Sequence, residues 1–289
     1  MFKAWKHSLS LCLAGLSWLL APSAAEAWWD TGHMLTAQVA WQEMTPAAQA
    51  EATRLIELLN PLEADPARRH FVPASVWMDE VKARGLKVFD HWHYLNTPYN
   101  PDGLPSLPAV DDDNLVVVLS SLAETLNSER AGDFEKAFAL RMLLHLVGDI
   151  HQPLHAVGKF SREHPEGDQG GNLTLVTGVK GIRSIHMLWD STAGLYPSIS
   201  APDWQGQVPE LARELSQRFP RQQFSASLDF APENWAHESF QIAVKQGYEA
   251  LPANGAVDAA YLAQVQEICA QRLALGGYRL AAFLNATFR

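Results

Sequence analysis

The stretch "HLVGDIHQPLH", residues 145–155, continues the apolar run "FALRMLL" at 138–144. Its spacing predicts a buried helix over 133–151, ended by Pro153. Polar groups inside such a helix must be satisfied, because an unpaired one costs free energy. His145 and Asp149 are four residues apart and project from one helix face, one turn apart. Once Pro153 stops the helix, His155 turns elsewhere, so one segment offers ligands to two neighbouring positions. The same spacing recurs in "SIHMLWD", residues 184–190, with His186 and Asp190. One such pair is an ordinary internal contact. Two pairs with His155 beside them point to metal.

Outward from this segment the periodicity is helical. "TPAAQAEATRLIELLN" at 45–60 offers Thr45 as N-cap and Pro46 at the first helical position. Further helices are predicted at 112–129, where "DDDN" supplies acidic residues for the start, and at 204–219, 232–250 and 257–287. Gly276-Gly277 marks an expected kink in the last of these. "NLTLV" at 172–176 begins an expected small hairpin in the long loop that follows His155. No repeat or linker divides the chain. The fold class is therefore mainly α, a single-domain multi-helix bundle with a small β-hairpin in a long loop.

Lys3 and Lys6 precede an apolar stretch from Leu9 to Ala21, and Ala25-Glu26-Ala27 follows as an A-x-A cleavage site. Residues 1–27 read as a signal peptide and 28–289 as the functional domain, with Trp28 the new N-terminus. The apolar run is shorter than the ~20 residues of a membrane span. A soluble, secreted or periplasmic protein without a membrane anchor is expected. Its two cysteines are Cys12 and Cys269. Cys12 leaves with the leader, so no internal disulfide or thiolate metal cluster is available. The formal net charge of −10 excludes a broad basic surface for duplex nucleic acid. An anionic substrate would need a local positive centre.

Elsewhere the chain adds "WWDTGH" at 28–33, "ASVWMDE" at 74–80 with Asp79, and "FDHWHYLNTP" at 89–98 with His91 and His93. Imidazole and carboxylate without thiolate suit zinc sites that keep open positions. In order and spacing, Trp28, His33, Asp79, His93, His145, Asp149, His155, "GGN" at 170–172, His186 and Asp190 resemble the trinuclear zinc nucleases. That family comprises fungal single-strand-specific nucleases, plant bifunctional nucleases and bacterial relatives. Its helical fold is shared with zinc phospholipase C.

The resemblance implies three Zn²⁺ per chain. One would be held by Asp79, His93, His145 and Asp149. A second would share Asp149 and use His33 with the amino group and carbonyl of Trp28. The third would take His155, His186 and Asp190. It further implies Asp79 as orienter of the attacking water, Lys82 as a charge that steadies the transition state, and Tyr94 as a base-stacking ring. Asn96, Gly171 and Asn172 would help hold the base. Asn96 departs from the fungal Asp, which leaves base preference open, and Trp29 stands where many members have Gly. His151 and Gln152 are left as supporting residues, and His70, His91, His164 and His237 carry no role.

The implied substrates are single-stranded DNA and RNA and 3′-nucleotides, cut to 5′-phosphate products by a monomer with no protein partner. Three zinc ions against three ligand carboxylates would leave a cationic pocket on an acidic chain. Two other readings remain open at this point: a zinc-dependent phospholipase C, and an exported zinc-binding protein without catalysis. Solvent exposure for Lys82 and core packing for Tyr94 are the ordinary alternatives for those residues.

Overall fold

The computed structural model describes residues 28–289; the predicted leader lies outside the described residues. The first half contains α1 (Asp30–Glu43), α2 (Pro46–Leu58), α3 (Phe71–Ala74), α4 (Trp77–Ala83), β1 (Pro98–Tyr99), α5 (Leu115–Asn127) and α6 (Asp133–His151). The second contains β2 (Gly158–Lys159), α7 (Ile185–Asp190), α8 (Trp204–Arg218), α9 (Pro232–Ile242) and α10 (Ala259–Thr287). Short 3₁₀ turns at Asp90–His93 and Pro153–Ala156 prove important for the site.

Local chemistry sets the helix starts. The Thr45 side chain accepts from the Ala48 amide at 3.2 Å and Pro46 follows it, as the sequence predicts. At the next predicted start the acidic run stays outside the helix. Asn114 is the cap instead, its Oδ1 accepting from the amides of Val116 and Val117, and α5 begins at Leu115. Asp258 caps α10 by accepting from Tyr261 N at 2.8 Å. The segment predicted at 232–250 is α9 continued by a π-helical stretch, Ala243–Tyr248.

Helix α10 runs unbroken through Gly276-Gly277, where a kink was expected. These glycines allow close approach instead: a Cβ on Gly277 would meet Val39 at 2.6 Å, and α10 lies mainly against α1. The stretch after Asn172 forms a single antiparallel bridge, Leu175 to Ser184, while the two-stranded sheet is a parallel pairing of β1 with β2. Helix α6 threads the middle, buried on all sides from Ala139 to His151, with α5 and α2 packed against it. A helix buried all round is one enclosed by its neighbours.

Candidate metal centre

Six elements aim side chains at one region beside α6. The helix itself presents His145 and Asp149 one turn apart, while α1 contributes His33, α4 Asp79 and the turn Asp90–His93 its last residue. His155 comes from the turn Pro153–Ala156, and α7 provides His186 and Asp190. His33 reaches the helix because Gly148 lacks a side chain: a Cβ there would lie 2.6 Å from His33 Nδ1.

The geometry divides into two neighbouring regions. In the first, His145 Nε2 lies 3.1 Å from His93 Nδ1 and 3.3 Å from Asp149 Oδ2, and His93 Nδ1 lies 3.0 Å from the same oxygen. Asp79 Oδ1 is 3.6 Å from both rings. The other oxygen of Asp149, Oδ1, faces His33 Nε2 at 3.5 Å. Asp149 therefore stands between two groups of ligand atoms, with one oxygen toward each. The His33 and His145 rings stack at 3.9 Å, so His145 belongs geometrically to both.

In the second region His186 Nε2 lies 3.2 Å from Asp190 Oδ2, His155 Nε2 lies 3.9 Å from Asp190 Oδ1, and the two rings stack at 5.0 Å. His155 Nδ1 is also 4.0 Å from Asp149 Oδ1, which ties the two regions together. Trp28 is fully buried beside them, its indole N–H donating to Gly148 O at 2.9 Å while Trp29 N donates to Asp190 O at 3.1 Å.

Main-chain carbonyls orient three of the rings. Nδ1 of His145 donates to Ser75 O at 2.7 Å, that of His155 to His93 O at 2.6 Å and that of His186 to Gly170 O at 2.7 Å. Each leaves Nε2 toward the centre, the arrangement by which a second contact sets a ligand's tautomer. Gln152 Nε2 donates to Asp190 Oδ1 at 2.5 Å.

The site is internally unsatisfied, which is the test of fit for a cation. Both nitrogens of His33, Nε2 of His93 and His155, and one oxygen each of Asp79 and Asp149 are buried without a hydrogen-bond partner. Buried polar atoms rarely remain unpaired, and this donor set of imidazole and carboxylate is one that a divalent metal satisfies. Three groups could each hold an ion: His33 with His145 and Asp149, Asp79 with His93 and His145, and His155 with His186 and Asp190.

Protonation differs between the regions. Burial opposes charge at His145, but the Asp149 and Asp79 carboxylates outweigh it and raise its pKa to about 9. Burial likewise opposes ionisation of Asp149, yet His145 and His93 hold its carboxyl well below the usual range. Burial, aided by the charge of His145, keeps His33 well below the ordinary imidazole value. In the second region burial wins: it pushes His155 down to about 3 and His186 down to about 4, and lifts Asp190 well above the carboxylate range.

A pocket of about 330 Å³ opens against these groups, with His93, His155 and His186 in its wall. Lys82, Tyr94, Asn96 and Asn172, all named from the sequence, line it, and Leu154, Gln169 and Gly170 complete it. Gly171 sits one residue behind the wall, buried, its carbonyl 3.5 Å from His186 N. His70, His91, His164 and His237 lie outside the three groups, and so does His151. Sequence reasoning missed the carbonyls of Ser75, His93 and Gly170, which have no side-chain signature, and the side chain of Gln169. Only the "GGN" motif hinted at one of them.

The sequence profile of the S1/P1 nuclease family matches residues 28–289. The chain is similar to Endonuclease 1 of Arabidopsis thaliana, 27% identical over 313 residues that cover 100% of this chain and 96% of that protein. It is 29% identical to Endonuclease 4 of the same plant, covering 92% and 91%. Nuclease S1 of Aspergillus oryzae is 22% identical, covering 89% and 91%.

Proposed function

The chain belongs to the S1/P1 nuclease family, and from that premise, a nuclease hydrolysing phosphodiester bonds, we propose a narrower reading. It is a zinc-dependent enzyme that cuts single-stranded DNA and RNA to 5′-phosphate products and removes phosphate from 3′-nucleotides. The observation that carries this is the set of buried, unpartnered imidazole and carboxylate atoms, of which those of His93 and His155 belong to the wall of a pocket that Lys82 and Tyr94 also line.

In this reading Asp79, His93, His145 and Asp149 hold one zinc. His145 joins this set because it faces the Asp149 oxygen that His93 also faces. His33, the other Asp149 oxygen and the amine and carbonyl of Trp28 hold the second, and His155, His186 and Asp190 the third. Bound there, zinc supplies Lewis acidity and brings the pKa of water toward neutrality.

The protein's own residues do the rest. Asp79 accepts a hydrogen bond from the attacking water and aims it at phosphorus. Lys82 sets a positive charge opposite the negative charge that grows on the phosphoryl oxygens. Tyr94 offers a ring on which an unstacked base lies, worth roughly 1–3 kcal/mol per base and indifferent to sequence. Asn96 and Asn172 offer amide groups to the base edge, and Gly171 lets the loop lie close to α7. A paired base cannot reach Tyr94 without leaving its stack, which favours single strands.

The Trp28 ligands require cleavage after Ala27, so processing and export belong to the same reading, with the enzyme a secreted or periplasmic monomer acting without a protein partner. Among the described residues no helix is long and apolar enough to cross a membrane. The test is metal analysis of processed protein with parallel assays on single-stranded and duplex oligonucleotides and a 3′-nucleotide, before and after chelation. Preference for single strands is expected, with activity that is lost on chelation and returns when zinc is added back. Equal cleavage of duplex, or activity indifferent to chelator, would overturn the reading.

A further inference from the structure

The loop that follows β2 reaches the pocket through a backbone that few residues adopt. Gln169, Gly170 and Gly171 have φ of 56°, 63° and 91° in succession. Left-handed geometry is unfavourable for Gln169, and such a run persists only where its surroundings over-determine it. The two glycines meet the steric demand, since a Cβ on Gly170 would lie 2.7 Å from Leu154 O and one on Gly171 2.5 Å from Ile185 Cγ2. They do not by themselves hold the loop in place.

The fastening comes from Asp168, which is fully buried. Its carboxylate accepts from Lys159 N at 3.0 Å, Thr174 Oγ1 at 2.7 Å and the Tyr248 hydroxyl at 2.9 Å. Its amide donates to Lys159 O and its carbonyl accepts from Leu173 N, both at 3.0 Å. One side chain thus ties both ends of the left-handed run to β2 and to the π-helical segment after α9. Between those ties, Gly170 O receives His186 Nδ1, and Gln169, Gly170 and Asn172 face the pocket.

We propose that Asp168 is a positioning residue for the His155–His186–Asp190 group and for the adjoining pocket wall. By pinning the loop it keeps Gly170 O under His186 Nδ1, so that His186 presents Nε2 to Asp190 in one tautomer and orientation. Asn172 is held at the pocket by the same pins. This deepens the reading above and rests on it for the identity of zinc and substrate.

The test uses Asp168→Asn, which keeps the shape and removes the charge, and Tyr248→Phe, which removes a single bond. Both are made in the processed full chain and titrated with zinc against a competing chelator. Asp168→Asn should weaken one of three zinc equivalents about tenfold or more, the scale for loss of a supporting contact, with the other two unchanged. KM for a 3′-nucleotide and for a single-stranded oligonucleotide should rise about tenfold, with kcat within about threefold. Tyr248→Phe should move the same quantities in the same direction by about threefold. Wild-type zinc binding and KM in both variants would overturn the proposal. So would loss of all three equivalents in step with thermal stability, which would mark Asp168 as general support for the fold. Should the wild-type chain bind zinc yet leave both substrates intact, the proposed substrates fail, and the zinc titration alone decides the role of Asp168.

Discussion

Helix α6 carries buried histidines on two sides, and they are treated differently. Toward the pocket, His145 and Asp149 stand among ligand atoms that lack partners. On the other side His151 is complete: Nδ1 donates to Val147 O at 2.7 Å and Nε2 accepts from Arg279 at 2.9 Å. Arg279 and Arg272 both pair with Glu238, and Arg272 also donates to the His151 carbonyl and to Ser239 Oγ. Ser239 donates in turn to Ile150 O at 2.5 Å. The back of the helix satisfies its polar groups from within the chain; the front leaves its atoms for a ligand. Burial and residue type are alike on the two sides, so the missing partners are what set the candidate metal side apart.

The sharpest way to break this contrast is at its front. Asp149→Asn removes a carboxylate shared by two groups and should lower kcat by three orders of magnitude or more, with zinc falling well below wild type in elemental analysis. Near-normal activity would show that Asp149 does not bridge. At the back, Glu238→Ala removes the carboxylate that two buried arginines share, and because Glu238 is itself partly exposed it should cost about 1–3 kcal/mol in denaturant unfolding. The refolded variant should nonetheless bind its full complement of zinc. A back-side variant that lost zinc without losing stability would erase the distinction drawn here.

Tyr94→Ala is expected to raise KM for single strands by about 10- to 100-fold, corresponding to roughly 1–3 kcal/mol of stacking, with little change in zinc content. Steady-state kinetics on a short oligonucleotide would reveal it.

The last effect concerns pH in the metal-free chain. His145, raised to about 9, contributes stability that is fully present below its unfolded value near 6.5 and is lost as pH rises through 9. Asp190, also raised, acts with the same sign, because ionising it in a buried place costs stability. On the back side burial pulls Arg272 down only to about 10, above this window. Chelated protein should therefore lose about 2–3 kcal/mol between pH 6.5 and 9. Zinc-loaded protein should be nearly flat, because metal in place of the proton removes that titration. A metal-free chain more stable at pH 9 would reverse the assignment.

Much of the site was legible because the pairs His145–Asp149 and His186–Asp190 keep helical spacing in apolar surroundings, where a polar residue needs a reason. Thr45-Pro46 likewise announced α2. Helix α1 gave no comparable period: its residues from Thr31 to Ala40 are buried all round, so no polar face alternates with an apolar one. The carbonyls that orient the histidines belong to Ser75, His93 and Gly170 through their main chains, and only the folded backbone brings them there. Asp168 sat unremarked before "GGN" because its partners, Lys159 and Tyr248, come from distant segments. The parallel pairing of β1 with β2 joins residues 60 apart and escapes any local reading.

The most direct test is X-ray diffraction at the zinc absorption edge on crystals of protein beginning at Trp28, grown with zinc. Three anomalous peaks are expected: one among Asp79, His93, His145 and Asp149, one between Asp149, His33 and the Trp28 amine, and one among His155, His186 and Asp190. A single peak, or peaks away from these side chains, would contradict the account.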